Sequence, residues 1–328
     1  MKAQIYKSQK RRRIRFKMIF FFILYNIVLA AVLLPLVLFW GPFESLKIVA
    51  VGSVETSRHP QVVRFFLSED EIVSIMNRNQ TDVGVGDFIG RDNKFIDVTT
   101  GITIEDIKGR SFKGKVMTIK DPKRIKLAVT KEIGVSGQRV SDMVKDMEAI
   151  AGINAGGFYD PNGKGNGAFP DGLTMKNGQL VHNNIENRSV NIVGFDSKGT
   201  LVLGKMNAQQ LKENNLREVV TFEPNLIVDG KPLIVGDGGW GVAPRTGIGQ
   251  KADGTVIFVV IDGRQPTWSF GATLRDLMNV FIEYDAVNAV NLDGGSSSEL
   301  YYDGKVVNKL WNIFGERYMA TAFVVMPD

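Results

Sequence analysis

Residues 273–304 read TLRDLMNVFIEYDAVNAVNLDGGSSSELYYDG and place a helical pattern, an apolar run and a polar turn in direct succession. Apolar residues recur at helical spacing over 273–285, and the short apolar run 286–293 is typical of an interior strand. The run stops at Asp293, where two glycines and three serines follow. The stretch therefore predicts a helix, a buried strand and then a polar loop.

The segments around this stretch are mainly strand-like, because they alternate apolar and polar residues or form short apolar runs between turn residues. A second helix is predicted over 141–153, with Ser141 as its cap. No regular strand–helix–strand repeat is present, so the sequence predicts one α+β domain over about 105–328, a single mixed, strand-rich domain with a few helices. The predicted strands lie within 112–129, 189–196, 200–206, 224–234, 255–264 and 320–326.

The segment 18–40, MIFFFILYNIVLAAVLLPLVLFW, contains no charged residue. At a rise of 1.5 Å per residue, a helix of this length crosses a bilayer core of roughly 30 Å. The alternative is a cleaved signal peptide, whose apolar region is usually about 7–15 residues long and ends in small residues. This run is longer and ends in LFWGPF, so we expect an uncleaved transmembrane helix.

Positive charge is concentrated before this helix, since residues 1–17 hold eight lysines and arginines and no acidic residue. Such an excess marks the cytoplasmic side, so we expect a cytoplasmic tail over 1–17 and the rest of the chain outside the membrane. Removing those eight from the 40 basic residues leaves 32, against 35 acidic residues. The basic composition is thus a property of the tail, and no nucleic acid partner is expected.

Residues 41–104 have weak patterning and are interpreted as a stalk or linker with one short helix. Ser68 lies three residues before Glu71, which is a capping-box pattern. Ile72, Ile75 and Met76 follow at helical spacing, so the helix is predicted over 68–79.

The chain has no cysteine, which excludes disulfides, thiolate nucleophiles and cysteine-ligated metals. Its two histidines, His59 and His182, fall in the predicted stalk and in a predicted loop. A histidine-activated serine hydrolase would need one of them beside Ser296, Ser297 or Ser298, and the sequence there is not G-x-S-x-G. The composition therefore argues against that class and against a histidine-rich metal site.

Seven Asp-Gly pairs occur in the chain, and this dipeptide favours hairpin turns because it readily adopts positive φ. Asp229, Asp253 and Asp303 lie between strand-like runs and are interpreted as such turns. Asp293 differs, because an interior strand precedes it and a second glycine lets the backbone approach a ligand closely. Backbone amides and serine hydroxyls after such a turn can hold phosphate oxygens.

Six short motifs follow one another between residues 153 and 317: INAGGFYD, PRTGIG, VIDGRQ, GATLRDL, NAVNLDGGSSS and GER. Together they resemble the phosphodiester glycosidase family, over roughly 105–328. The last motif departs from the ERPVANA pattern of relatives, since Glu316 and Arg317 are present but the proline beside them is missing. Bacterial members often carry a role in exopolysaccharide biosynthesis, and the resemblance implies such a role here.

The resemblance implies hydrolysis of a sugar-1-phosphodiester, such as an N-acetylglucosamine-1-phosphodiester, without a cofactor. This reaction needs donors for the departing phosphate and a carboxylate that stabilises an oxocarbenium-like centre or activates water. Arg245 suits the phosphate because a guanidinium binds it bidentately, and Asp293 suits the carboxylate, with Glu316 as the next candidate. The candidates for substrate binding are Asn154, Gly157, Asp171, Thr246, Asp262, Arg264, Gly294, Gly295, Ser296, Ser297 and Arg317.

We therefore expect a membrane-anchored, extracytoplasmic hydrolase that acts on a cell-surface glycopolymer such as teichoic acid, capsule or exopolysaccharide. A first alternative is a non-catalytic carbohydrate-binding or surface-assembly protein with the same fold. The joint presence of Asn154, Arg245, Asp293, Glu316 and Arg317 favours the enzyme.

A second alternative is a metal-dependent phosphodiesterase that cleaves the P–O bond. Hard divalent cations prefer clustered oxygen ligands, which Asp293, Asp262 and Asp171 would have to supply. The expectation is a site without metal, and a bound divalent cation stays open.

Overall fold

The structure, a computed structural model, describes residues 2–43, 47, 50–51, 54, 61–78, 90–97, 100–159, 166–265, 267–312 and 314–328. The chain divides into two compact units, Met1–Ile75 and Met76–Asp328. The candidate site residues all belong to the second unit.

Helix α1 (Lys2–Trp40) forms most of the first unit. Its part Lys17–Trp40 has a mean hydropathy of 2.6 and is long and apolar enough to cross a membrane, a test that a signal sequence also passes. Two short helices follow, α2 (Gln61–Phe66) and α3 (Glu69–Arg78). Phe66 of α2 stacks on Phe39, with the ring centroids 5.0 Å apart.

Helix α3 begins with the capping box predicted from the sequence. The Ser68 hydroxyl accepts a hydrogen bond from the Glu71 amide at 3.3 Å, and the Glu71 carboxylate accepts one from the Ser68 amide at 2.9 Å. These two bonds satisfy amides that a helix start otherwise leaves open. The predicted helix over 68–79 is therefore confirmed to within a residue at each end.

The second unit is rich in strands. Its described helices are α4 (Val140–Asp146), α5 (Ala208–Glu213) and α6 (Leu274–Glu283). Its described strands are β1 (Gly90–Asp97), β2 (Ile102–Lys108), β3 (Lys113–Ile119), β4 (Ile125–Val129), β5 (Ala151–Asn154), β6 (Phe158–Tyr159), β7 (Phe169–Pro170), β8 (Leu173–Lys176), β9 (Gln179–Asn183), β10 (Val190–Asp196), β11 (Leu201–Met206), β12 (Leu216–Thr221), β13 (Asn225–Val228), β14 (Lys231–Pro232), β15 (Arg245–Lys251), β16 (Val256–Ile261), β17 (Ala286–Leu292), β18 (Leu300–Tyr302), β19 (Lys305–Val306) and β20 (Thr321–Val325). The α+β class predicted from the sequence is confirmed.

The described strands form three larger sheets and one short ribbon, and they pair antiparallel throughout. The strand orders are β1-β2-β3-β16-β15-β17-β13-β14, β11-β10-β12-β8-β9, β19-β18-β5-β20-β4 and β6-β7. Strand β17 lies inside the eight-stranded sheet, and β20 lies between β5 and β4. The predicted interior strand 286–293 is thus confirmed.

Strand β17 is buried on both faces. Val290 and Leu292 face the five-stranded sheet of β5 and β20, where they share a core with Ile153 and Phe323. Ala289, on the other face, belongs to the core formed with helix α6. A strand that packs on both faces has no solvent side, which explains why the sequence of β17, AVNAVNL, has apolar residues on both faces.

The predicted helix over 141–153 is shorter in the structure, and its second half is a strand. Helix α4 ends at Asp146, Glu148 has a positive φ of 54°, and 151–154 form β5. Strand β5 pairs with both β18 and β20, so distant partners decide a segment whose local sequence also suits a helix. The cap is also different, because Arg139 and not Ser141 occupies the N-cap position.

The turns predicted at Asp229, Asp253 and Asp303 are confirmed, since they connect β13 to β14, β15 to β16 and β18 to β19. The start of the domain differs from the expectation. Strands β1 and β2 belong to the eight-stranded sheet, so the sheet begins before residue 105 and includes part of the predicted stalk.

Candidate active site

Four strand ends meet at one edge of the two packed sheets. Strands β5 and β17 end there, at Asn154 and Leu292, while β15 and β20 begin there. Within the sheets, Thr246 pairs with Leu292 and Asn154 pairs with Ala322. The motifs that the sequence holds far apart therefore come together at this edge.

Asn154 joins these strand ends through its side-chain amide. Its oxygen accepts hydrogen bonds from the Thr246 hydroxyl at 2.8 Å and the Glu299 amide at 3.1 Å. Its nitrogen donates to the Asp293 carbonyl at 2.5 Å. Asn154 and Thr246 are both fully buried, so they hold the Asp293 loop in place and do not face a ligand as expected.

The loop after β17 begins at Asp293, which is half-buried and donates its amide to the Ala155 carbonyl at 3.1 Å. Gly295 has a φ of 61°, a conformation that glycine adopts without strain, and its amide donates to the Pro244 carbonyl at 2.8 Å. A side chain on Gly294 would place its Cβ 2.9 Å from that carbonyl. The double glycine is therefore required by the close approach of residue 244.

Two guanidinium groups flank this loop. Arg317 donates from Nη1 to the hydroxyls of Ser296 at 3.0 Å and Ser297 at 3.3 Å, and it lies 4.7 Å from the centre of the Phe158 ring. Arg264 lies against Gly295, where an added Cβ would be 3.4 Å from both Nη atoms. The structure thus brings the glycine–serine loop that follows Asp293 and two arginines from other motifs into one place.

Arg245 is placed differently from the expectation. It is only 4% exposed and donates to the carbonyls of Ala272 at 3.1 Å, Trp240 at 3.1 Å and Gly241 at 2.7 Å. Burial and the nearby charge of Arg264 lower the pKa of Arg245 to about 10, so it still carries its charge at neutral pH. These donors hold the loop around residue 240, and Arg245 is therefore not available as a bidentate fork for phosphate.

Asp262 is also engaged within the protein. One carboxylate oxygen accepts from the Trp268 indole at 2.8 Å, and the other accepts from the Asn308 side chain at 3.1 Å and the Lys309 amide at 3.0 Å. Burial raises the pKa of Asp262, although these donors oppose that rise. Asp262 fixes residues 308–309 and is not directed at the Asp293 loop.

A buried carboxyl pair, Glu299 and Glu316, lies beside the loop. Glu299 is 2% exposed, and burial together with the charge of Glu316 raises the pKa of Glu299 to about 10. Glu299 is therefore protonated at neutral pH and hydrogen-bonds to Glu316, which also accepts from the Ser141 amide at 3.1 Å. Glu299 is not among the residues predicted from the motifs, although a glutamate directly before the apolar residues 300–302 indicates burial.

The last candidates lie on the neighbouring loop. The Asp171 amide donates to the Gly157 carbonyl at 3.0 Å, and its exposed carboxylate accepts from Asn184 at 3.1 Å. His182 lies in β9 and not in a loop, and burial lowers its pKa. His59 lies outside the described residues.

No group of three or more histidine, aspartate or glutamate side chains that could hold a metal occurs in the part of the chain that the structure describes. Asp293, Asp262 and Asp171, the three carboxylates considered as ligands, do not form such a group.

Comparisons with solved structures show the same fold. The zebrafish N-acetylglucosamine-1-phosphodiester alpha-N-acetylglucosaminidase catalytic domain, auto-inhibited by its pro-peptide, superimposes with a TM-score of 0.59 at 20% identity. That match covers 74% of this chain and 89% of the zebrafish domain. A Synechocystis protein gives a TM-score of 0.56 at 16% identity, over 70% of this chain and 62% of the other.

A sequence relative is the SPbeta prophage-derived protein YomE of Bacillus subtilis strain 168, with 29% identity over 200 residues. This match covers 58% of the chain, which spans about 30% of the length of that relative. A sequence model of the phosphodiester glycosidase family matches residues 147–326, more than half of the chain and all of the strand ends that form the site. The chain therefore belongs to the phosphodiester glycosidase family.

Proposed function

We propose that this chain hydrolyses the bond between a sugar and the phosphate of a sugar-1-phosphodiester, and that Asp293 supplies the catalytic carboxylate. The observation that carries the proposal is the loop after β17, where the half-buried Asp293 directly precedes the glycines and serines that contact the guanidinium groups of Arg317 and Arg264. A carboxylate and cationic donors side by side match the two ends of the scissile bond.

In this reaction, a water oxygen forms a bond to the anomeric carbon while the C–O bond to the phosphate breaks. The electron pair of that bond leaves on the phosphate oxygen, and the proton of the water passes to the carboxylate. Phosphate leaves readily, so positioned positive charge contributes more than an acid would. Arg317 and Arg264 take the phosphate-binding role expected of Arg245, because their guanidinium groups lie at the loop and that of Arg245 is buried.

The carboxyl pair supports the same assignment through Glu316. Its carboxylate accepts hydrogen bonds from the protonated Glu299 and from the Ser141 amide. These bonds hold the Glu316 side chain in place, and Glu316 directly precedes Arg317 in the chain. The side chain of Arg317 contacts the serine hydroxyls of the loop. Glu316 is therefore proposed as a positioning residue, with Asp293 as the group that touches the substrate.

We further propose that the substrate belongs to a cell-surface glycopolymer and that the chain is anchored in the membrane with its second unit outside. The length and apolar composition of Lys17–Trp40 support an anchor. The basic residues before it support a cytoplasmic N-terminus. A structurally similar protein of Burkholderia pseudomallei, with a TM-score of 0.52 at 19% identity over 66% of this chain and 74% of the other, is described as exported.

The test uses UDP-N-acetylglucosamine in water enriched in oxygen-18, with the products read by mass spectrometry. Cleavage at the anomeric carbon places the label in free N-acetylglucosamine, whereas attack at phosphorus places it on a phosphate of the nucleotide or of a sugar phosphate. We expect the label in the sugar. Asp293→Asn is expected to lower turnover by about 10²–10⁴, the range for losing a positioned acid–base group, without changing the melting temperature.

The matched control is Asp303→Asn, which makes the same substitution in another Asp-Gly pair, that of the β18–β19 turn. This variant is expected to retain turnover. Normal turnover in a folded Asp293→Asn variant would remove Asp293 from the proposal. Label on a phosphate would instead identify a phosphodiesterase. Binding of the sugar nucleotide without any turnover would favour the non-catalytic alternative.

A further inference from the structure

A concave region, here called the lysine cleft, lies on the eight-stranded sheet near the loop after β17, which is called the catalytic loop below. Its volume is about 560 Å³, within the range of about 300–1,000 Å³ that ligand pockets occupy. The charged and aromatic residues that line it are Asp106, Lys108, Lys113, Lys115, Asp262, Trp268 and Lys309. Neither the family nor the reaction above assigns it a role.

The lysine cleft has more positive charge than its own carboxylates neutralise. Lys115 pairs with Asp106, its partner across the strands, and the other lining carboxylate, Asp262, is buried and hydrogen-bonded. Among the described residues, Lys108, Lys113 and Lys309 have no carboxylate within ion-pair distance. Three cationic side chains therefore face one cleft without a partner of opposite charge.

The lysine side chains of the cleft also repel one another. Lys108 and Lys113 are directly opposite each other on β2 and β3, and like charges in that position destabilise a sheet. Lys113 and Lys309 both lie over the Trp268 ring, with their nitrogens 3.8 Å and 4.9 Å from its centre. The ring stabilises each ammonium group and holds the two charges close together. An anionic ligand would remove the repulsion that the free cleft retains.

The lysine cleft is connected to the catalytic loop by one side chain. Asn308 lines the cleft and donates from its amide nitrogen to Asp262 at 3.1 Å and to the Ser298 carbonyl at 3.2 Å. Ser298 directly follows the serines that contact Arg317. A chain-like ligand with one phosphodiester at the loop therefore has a neighbouring cationic subsite for a further anionic unit.

We propose that the lysine cleft binds a second phosphate-bearing unit of the substrate, so that the preferred substrate is a glycan polymer with repeated phosphodiester links. This inference rests on the proposed function, because it extends the substrate of the same site. Lys108, Lys113 and Lys309 contact the anionic groups, and the exposed part of Trp268 packs against a sugar ring.

Binding of a homopolymer of N-acetylglucosamine 1-phosphate tests the proposal. The full-length chain in detergent is titrated in the Asp293→Asn background, so that the polymer is not consumed. Combined Lys108→Gln, Lys113→Gln and Lys309→Gln is expected to weaken binding by about 10- to 100-fold, the summed effect of three exposed ion pairs. The dependence of affinity on salt concentration should decrease in the same variant.

The matched control removes the same charge from exposed lysines outside the lysine cleft, through Lys120→Gln, Lys212→Gln and Lys305→Gln. This control is expected to change affinity by less than about twofold. Equal weakening by both triple variants would overturn the proposal, because only net charge would then matter. Equally tight, cleft-dependent binding of a single-stranded DNA of matched charge would also overturn it, since the site would then not select a glycan.

The outcome is separable from that of the proposed function. Hydrolysis of UDP-N-acetylglucosamine without cleft-dependent polymer binding overturns the inference alone. Cleft-dependent binding of the polymer without any hydrolysis contradicts the proposed catalytic role and supports an anionic glycan site. A neutral hexamer of N-acetylglucosamine is expected to bind at least about tenfold more weakly than the polymer, since it engages no lysine.

Discussion

Glu299 illustrates how one buried proton affects the whole site. Its side chain is almost completely enclosed, and its nearest charged neighbour, Glu316, has the same sign. Two adjacent carboxyl groups in such surroundings cannot both ionise without a large cost. The folded chain therefore retains a proton that the unfolded chain releases, and this difference links stability to pH.

We predict that the thermal stability of the chain falls with rising pH because of this proton. The pKa of Glu299 is about 10 in the folded chain, whereas an unfolded glutamate has a pKa of about 4.3. The stabilising contribution is complete below the lower value and is lost towards the higher one, by at most about 1.4 kcal/mol per pH unit. Glu299→Gln should flatten the decline of the melting temperature between pH 6 and about 9.

The control for this prediction is Glu148→Gln, which changes an exposed glutamate and is expected to keep the wild-type decline. Parallel pH profiles for wild type and Glu299→Gln would show that Glu299 is ionised in the folded chain. The pair would then have to be held by a cation, and the positioning role of Glu316 would need revision.

The sequence already points to Asp293, Arg264, Arg317 and the two serines, because each is part of a motif at a strand end, and their role in a site stays a prediction. It does not reveal that Arg245 is buried. Its partners are three main-chain carbonyls, and every residue type has a main-chain carbonyl, so the sequence does not indicate these contacts. For the same reason, Asn154 resembles a ligand contact in the sequence and is a structural amide in the fold.

Helix α6 packs against strand β15, which begins at the edge of the sheet where the candidate site lies. Gly247 and Gly249 face the helix, and Phe281 fills the space that their missing side chains leave. An added Cβ on Gly249 would lie 2.8 Å from the Phe281 ring and 3.0 Å from the Asn288 carbonyl. The glycines of the PRTGIG motif are thus explained by packing.

We predict that Gly249→Ala lowers the free energy of unfolding by about 1–3 kcal/mol, the usual effect of overpacking a filled core. Urea denaturation should show this as a lower midpoint with an unchanged slope. Gly249→Ala combined with Phe281→Leu should recover part of the loss, because the smaller side chain removes the closest contact. An additive loss in the double variant would show that the backbone contact at Asn288 causes the strain.

Among the helices and strands, sequence periodicity predicts α6 and β17 well, because the local sequence determines both: an amphipathic pattern for the helix and an apolar run for the strand. It fails for 141–153 because strand β5 exists only through β18 and β20, which come more than a hundred residues later. It also fails before residue 105, where β1 is the edge strand of the sheet and has a weak apolar pattern.

Across the whole molecule, the second unit, Met76–Asp328, contains all the candidate site residues. Its sheet begins at β1, which pairs with β2 along its length. Without β1, strand β2 would present open backbone donors and acceptors to solvent, and such an edge invites aggregation. The boundary of the folded unit therefore matters for any shortened form of the chain.

We predict that a chain beginning at Met76 is soluble and unfolds cooperatively, whereas the full-length chain sediments with membranes. The reason is that residues 76–328 form a compact unit of their own, and the apolar helix Lys17–Trp40 is absent from it. Ultracentrifugation of cell extracts and circular dichroism of the purified fragment provide the measurements.

A chain beginning at Gly101 is the informative comparison, since it lacks only β1 and the residues before it. It is expected to melt at a lower temperature and to aggregate more readily than the longer fragment. Equal stability of the two fragments would show that β1 contributes little to the sheet. A full-length chain that stays in the soluble fraction would contradict the proposed anchor.

The position of β20 has a consequence for the timing of synthesis. This strand is the last in the chain, yet it fills the gap between β5 and β4. Asn154 cannot pair with Ala322, its partner in β20, until Ala322 has been synthesised. At about 5–20 residues per second, the ribosome needs roughly ten to thirty seconds to add the residues between them. During this interval the strand that holds Asn154 lacks one of its two neighbours, and the sheet stays open between β5 and β4 until β20 has been made. For the proposed extracytoplasmic position of the second unit, this order of assembly would keep the sheet open while the earlier residues pass through a translocation channel.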